Sequence, residues 1–138
     1  MQHTVRKATP TDIDLLDSIH TENMKGYVEK NYPWNPQLFR DLFIPDEYQV
    51  IEIDNTVVGF MKIVISESEI YLGEIQISKD FQNQGIGTSL IQSLIQEAQT
   101  SNKKLWLKVL KGNPAQKLYQ RLGFTNLKES STHLIMGI

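Results

Sequence analysis

The sequence predicts a mixed α/β domain built on one central sheet, and three observations carry that expectation. The apolar spacing switches along the chain between a strand period of two and a helical period near 3.6. Capping residues and prolines bound the helical stretches. The resulting order of elements is β-α-α-β-β-β-α-β-α-β-β. A length of 138 residues suits one continuous domain over 1–138 with a single core. No repeat, low-complexity tract or Gly/Ser/Pro-rich linker divides it.

Thr4 to Ala8 reads as the first strand. Thr9 can cap a helix, Pro10 suits its first turn, and Asp12 favours its positive dipole end. Ile13, Leu16 and Ile19 follow at helical spacing, so the helix should run to about Lys25. Asn35-Pro36 is a second helix start, leading into Leu38, Phe39, Leu42 and Phe43, and Pro45 ends it. Tyr48 to Ile53 and Val57 to Ile65 read as strands joined by a tight turn at Asp54-Asn55. Glu69 to Ser78 is the fourth strand, with Ile75 and Ile77 on one face and Glu74 and Gln76 on the other. Leu90, Ile91, Leu94, Ile95 and Ala98 mark an amphipathic helix. Leu105, Leu107 and Val109 alternate in a strand from Lys104 to Leu110. Asn113-Pro114 opens a short helix through Leu122, which Gly123 is placed to end. Strands near Phe124 to Glu129 and Thr132 to Met136 close the order.

The formal charge is −2. A sequence-independent nucleic-acid binder would carry a basic surplus, so no nucleic-acid partner is expected. There is no cysteine, which excludes disulfides, zinc–thiolate sites and thiol catalysis, and fits a reducing cytoplasm. Met1 to Lys7 holds no apolar run of signal-peptide length, and no stretch approaches the roughly 20 apolar residues of a membrane helix. The expectation is a soluble cytoplasmic protein with no membrane partner. His3, His20 and His133 are not at metal-ligand spacing, so no metal is expected.

The segment Gln82-Asn83-Gln84-Gly85-Ile86-Gly87-Thr88 carries the chemistry. Two glycines stand between a strand and a helix. Glycine admits positive φ and close approach of a ligand, and the N–H groups of a helix start favour an anion. Lys followed by Ser/Thr is absent, which argues against a nucleotide triphosphatase, and so is the third glycine of the dinucleotide fingerprint. The loop alone reads equally well as a turn that needs glycine for geometry.

With Gln82, Gly85 and Gly87 at its three fixed positions, the segment resembles the pyrophosphate-binding motif of the GCN5-related N-acetyltransferase (GNAT) superfamily. Ile75 and Ile77 fill the apolar positions of the preceding strand, and Lys79 stands where the family often has proline. The second signature of that family is matched by Asn113-Pro114-Ala115, Leu118-Tyr119 and Leu122-Gly123-Phe124. The resemblance implies a GNAT-like sheet in which a splayed strand pair forms a cleft for acetyl-coenzyme A. It also implies an enzyme that moves the acetyl group onto a primary amine of a small molecule or peptide.

The resemblance further assigns parts. Backbone N–H groups of Gln82, Asn83, Gln84, Gly85, Ile86, Gly87 and Thr88 would hold the pyrophosphate. Backbone groups around Ile75 and Ile77 would pair with the pantetheine arm and the thioester carbonyl, and Asn113 would contact the arm. Tyr119 would protonate the leaving thiolate, since a phenol with a reference pKa of about 10 keeps its proton at neutral pH. The plain alternative for Tyr119 is a half-buried aromatic on an amphipathic helix. Glu74 is the candidate general base, set against a solvated strand carboxylate; Glu52, Glu67 and Glu69 stay open. Tyr27 and Trp34, with Glu74, are candidates to receive the amine by stacking and charge pairing, against a role as core or cover. Three other readings stand beside the enzyme: a non-catalytic acyl-coenzyme A sensor, a structural or interaction domain that keeps the fold without the ligand, and a domain using another acyl donor. A homodimer through the last two strands is an expectation by analogy with relatives.

Overall fold

The computed structural model describes Gln2–Ile138; Met1, the first residue of the expected domain, lies outside the described residues. Among the described residues there are seven strands and four α-helices. They are β1 (Thr4–Lys7), α1 (Ile13–Val28), α2 (Leu38–Leu42), β2 (Tyr48–Ile53), β3 (Thr56–Ile65), β4 (Glu69–Ile77), α3 (Ile86–Thr100), β5 (Lys104–Leu110), α4 (Ala115–Arg121), β6 (Thr125–Glu129) and β7 (His133–Gly137). The element order is the expected one. Hydrogen bonding arranges the strands as β1-β2-β3-β4-β5-β7-β6. The pairing of β4 with β5 is parallel, while β1·β2, β2·β3, β5·β7 and β6·β7 are antiparallel, so the sheet is mixed.

The chain groups into two compact units. One comprises Met1–Lys62 and Glu74–Ile86, the other Ile63–Gly73 and Gly87–Ile138. In the first unit β1 pairs with β2 from Thr4↔Glu52 to Lys7↔Gln49. The register of β2 on β3 steps from Ile51↔Gly59 to Glu52↔Val57, so one extra residue of β3 bulges there. Asp54 and Asn55 take φ of 50° and 63°, the left-handed pair that a two-residue hairpin turn requires. The core of this unit joins Leu16 and Ile19 of α1, Phe39 of α2, Tyr48 and Val50 of β2, and Phe60 of β3. Phe39 is its hub, with ring centroids 5.8 Å from both Tyr48 and Phe60.

Helix α1 differs from the expected one at both ends, running on to Val28 rather than to about Lys25, and α2 differs in extent. Pro10–Asp12 forms a 3-10 turn before α1 begins at Ile13. The cause is the Asp12 carboxylate, which reaches back to accept from the Thr9 N–H at 2.8 Å and from the Thr9 hydroxyl at 3.2 Å. Arg6 grips the same carboxylate through both terminal nitrogens, at 2.8 and 2.9 Å. Helix α2 spans only Leu38–Leu42. Asn35 Oδ1 accepts from the Gln37 N–H at 3.0 Å, so the expected cap closes a turn ahead of the helix instead. Phe39 alone of this helix is buried, and Leu38 and Leu42 face solvent.

The Arg6 guanidinium and the Thr9 N–H hold the Asp12 carboxyl down at about 2. A carboxyl depressed in the folded state stabilises above its unfolded value, near 3.9, and the gain fades as pH falls towards 2. Urea denaturation should therefore show about 2 kcal/mol less stability at the acid end of that window than above it, for this pair alone. Asp12→Asn should remove that portion of the acid dependence, and an unchanged acid limb in the variant would refute the assignment.

In the second unit β4 pairs with β5 from Glu69↔Lys104 to Leu72↔Leu107. That pairing ends there, while β4 runs on to Ile77 and β5 to Leu110. Leu90, Ile91, Leu94 and Ala98 of α3 are buried, as the amphipathic spacing requires, while Ile95 of the same series is half-buried. Helix α4 ends at Arg121, and Gly123 just beyond it has φ of +102°, which lets the Phe124 N–H turn back onto the Tyr119 carbonyl at 3.0 Å.

Candidate functional site

Within the first unit, β4 and α1 meet through polar side chains. Four residues of β4 alternate as the strand period dictates, with Glu74 and Gln76 on the face opposite Ile75 and Ile77. That polar face is not solvated: Gln76 is buried and the Glu74 side chain is 16% exposed. Their partners stand one turn apart on α1. His20 Nδ1 pairs with Glu74, touching Oε1 and lying 3.1 Å from Oε2. Asn23 Nδ2 donates to Gln76 Oε1 at 3.1 Å and to the Ile77 carbonyl at 2.8 Å. A helix spacing of three meets a strand spacing of two, giving two matched polar rungs. The reading of Glu74 as a solvated strand carboxylate therefore fails.

The amide of Asn23 cannot be turned round, because its oxygen would then face the Ile77 carbonyl. With the nitrogen so fixed, Asn23 Oδ1 is buried and has no hydrogen-bond partner among the described residues. A buried acceptor left so costs about 1–3 kcal/mol, which a ligand N–H would relieve. Aromatic rings frame the His20–Glu74 pair. The His20 ring lies 4.7 Å from Phe39 and 5.6 Å from Trp34, tilted by 32° and 31°. Burial, followed by the negative charges of Glu74 and Glu47, pushes the Tyr48 hydroxyl well above its ordinary range, so it stays protonated. Tyr27, by contrast, stands against Lys30, whose Nζ is 5.2 Å from the ring centre. Trp34, rather than Tyr27, is brought to His20, the partner of Glu74.

The end of β4 leads through a 3-10 turn at Lys79–Phe81 into the glycine segment. Gln82 Nε2 donates to the Ile77 carbonyl at 2.8 Å, and Gln84 Nε2 to the Asp80 carbonyl at 3.3 Å. The Ile77 carbonyl thus already receives two side-chain amides, from Asn23 and Gln82. Asn83 and Gly85 take positive φ, 62° and 83°. Gly87 does not; it lies in the first turn of α3, with Thr88 after it. A Cβ built on Gly85 or Gly87 meets nothing within 4 Å. For Gly85 the backbone angle explains the residue. For Gly87 nothing in the protein's own packing does.

In the second unit, Asn113 Oδ1 accepts from the Ala115 N–H at 2.9 Å and so caps the start of α4. Tyr119 is buried on α4, and its ring centre is 5.8 Å from that of Phe124. Among the described residues, no group of three or more His, Cys, Asp or Glu side chains is arranged to hold a metal ion. No helix among them is long and apolar enough to cross a membrane.

Asn23, Gln76 and Phe39 were not singled out from the sequence as site residues, and His20 stood near the acceptor aromatics Tyr27 and Trp34 without a role of its own. The signal was present but weak: polar residues stood on faces that periodicity assigns to packing.

In open α/β sheets, ligands sit outside the carboxyl ends of strands, and β4 here ends in a left-handed turn that opens a helix. That is the class of a ligand-binding α/β domain. The profile of the acetyltransferase (GNAT) family matches residues 14–124, and the chain belongs to that family. An uncharacterised N-acetyltransferase of Methanocaldococcus jannaschii is 30% identical over 137 residues, covering 88% of this chain. The chain spans only 60% of that relative's length. Among solved structures, the PaiA N-acetyltransferase of Thermoplasma acidophilum, in complex with coenzyme A, superposes with a TM-score of 0.79 at 16% identity. The match covers 99% of this chain and 98% of that one. Ard1 of Thermoplasma volcanium gives 0.76 at 20% identity, covering 100% and 97%. At these identities the structural likeness concerns the fold.

Proposed function

We propose that the chain, acting as one domain over 1–138, transfers the acetyl group of acetyl-coenzyme A to a primary amine of a small molecule or peptide. The observation that carries this reading is the turn into α3 within a chain of the acetyltransferase family. Gly87 leaves open space at a helix start where packing asks for no glycine, which fits a bound pyrophosphate. Backbone N–H groups of Gln82, Asn83, Gln84, Gly85, Ile86, Gly87 and Thr88 would hold that group.

Ile75 and Ile77 would offer backbone groups to the pantetheine arm. The Ile77 carbonyl is engaged by Asn23 and Gln82, so its N–H is the better candidate. The Asn113 oxygen is engaged as a cap, which leaves its amide nitrogen for the coenzyme arm. The roles of Asn113 and Tyr119 rest on their motif positions. Tyr119 would give the departing thiolate its proton. Trp34 and Glu74 would receive the amine, with Tyr27 a candidate further along α1. The absence of cysteine supports a cytoplasmic setting. A homodimer is the proposed assembly, supported by β6 standing last in the sheet order with Leu127 60% exposed.

The test is release of free thiol from acetyl-coenzyme A across a panel of amines and peptides. Release that depends on the acceptor is the expected result. Tight coenzyme binding with no release on any acceptor would favour a sensor instead.

A further inference from the structure

The His20–Glu74 pair bears on which atom takes the acceptor's proton, and the inference rests on the acetyltransferase reading above. An ionised carboxylate can only accept hydrogen bonds. Both oxygens of Glu74 face His20 Nδ1, Oε2 at 3.1 Å. A neutral imidazole turned towards two acceptors must carry its proton on the nitrogen that faces them, which leaves the lone pair on Nε2. Among the described residues Nε2 makes no hydrogen bond, and the His20 side chain keeps 20% of its surface exposed. Contacts with Trp34 and Phe39 hold the ring plane. Nor does the Tyr48 hydroxyl compete as a base, since burial and the nearby carboxylates keep it protonated.

We infer that His20 Nε2 is the proton acceptor for the incoming amine, and that Glu74 is a positioning residue that fixes the ring and its tautomer. The step balances without a further reactant. The amine lone pair forms the new C–N bond at the thioester carbon, and His20 Nε2 takes the proton that the nitrogen sheds. The C–S bond breaks with its electron pair on sulfur, and the thiolate takes the proton assigned above to Tyr119. The division of labour is that of an oriented imidazole, in which the carboxylate holds the tautomer and is not itself protonated.

Nitrogen-15 NMR of the imidazole rings tests the arrangement without any acceptor. Spectra are recorded on the wild-type protein at mildly alkaline pH, and His20 is assigned by elimination from His3→Gln and His133→Gln. The expected result is a neutral His20 ring protonated on Nδ1, a preference lost in Glu74→Ala. A ring protonated on Nε2 would overturn the inference. The kinetic arm uses whichever panel amine supports thiol release. His20→Gln should lower turnover by about 10²-fold, the lower end for a general base, with unchanged affinity for acetyl-coenzyme A. Wild-type turnover in His20→Gln, with turnover abolished in Glu74→Gln, would return the role to Glu74 and overturn the inference. If wild-type protein acetylates no amine, it is the proposed function that fails, and the tautomer still decides how the pair is built.

Discussion

Tyr119→Phe is expected to lower the acetyl-transfer turnover by about 10²-fold while leaving the affinity for acetyl-coenzyme A almost unchanged. The substitution removes one oxygen and keeps the ring. That ring is buried and packs against Phe124, and the α4 backbone closes through the Phe124 N–H on the Tyr119 carbonyl, which the change does not touch. A loss confined to turnover is what removal of a proton donor in the transition state gives; a rise in the Michaelis constant alone would mean lost binding. Steady-state kinetics and calorimetric titration of acetyl-coenzyme A separate the two. Full turnover in Tyr119→Phe would leave the residue as a packing aromatic.

The second large effect is expected at Gly59. This residue lies in β3 beside the bulge, and it does not need positive φ. What it lacks room for is a side chain. A Cβ there would stand 2.4 Å from the Gln76 carbonyl oxygen and 3.3 Å from the Ile77 Cα, both backbone atoms of β4. Backbone cannot swing aside as a flexible side chain can. Gly59→Ala should cost about 3 kcal/mol, at the upper end for overpacking. For a domain of this size that corresponds to a fall in melting temperature on the order of 10 °C. The displaced residues are the ones that carry the Asn23–Gln76 rung and the Ile77 carbonyl, so activity should fall further than stability alone explains. An unchanged melting temperature in Gly59→Ala would show that β3 and β4 are less closely apposed.

Much of the architecture was legible because its signals are local. Asp54 and Asn55 announced a tight turn, and the structure forms it with both in the left-handed conformation. Gly123 announced a helix end and supplies it. Apart from the half-buried Ile95, the apolar positions of α3 and β5 are buried where their periods put them. The short α2 was harder to read, because Leu38, Phe39, Leu42 and Phe43 look uniformly apolar, yet Phe39 is buried, Phe43 packs half-buried against the core, and Leu38 and Leu42 face solvent. Gly59 was not legible, since its reason is the neighbouring strand rather than its own backbone.

The candidate site divides along the same line. Gln82, Gly85 and Gly87 form a contiguous motif and could be found in the sequence. His20 and Glu74 are 54 positions apart, and nothing local links them. Glu74 could be chosen as a carboxylate worth testing, but its orientation towards α1 depends on how the helix lies on the strand. That packing, rather than any motif, brings the imidazole and the carboxylate together.

The most direct measurement is label transfer. The protein is incubated with acetyl-coenzyme A carrying a deuterated acetyl group and with a mixture of amines and peptides, and the products are read by mass spectrometry and thiol titration. The expected result is a labelled acetyl group on an amine nitrogen, with one equivalent of free thiol released for each group transferred. Acetyl-coenzyme A that binds to the protein and is recovered intact in the presence of every acceptor would contradict the proposed activity.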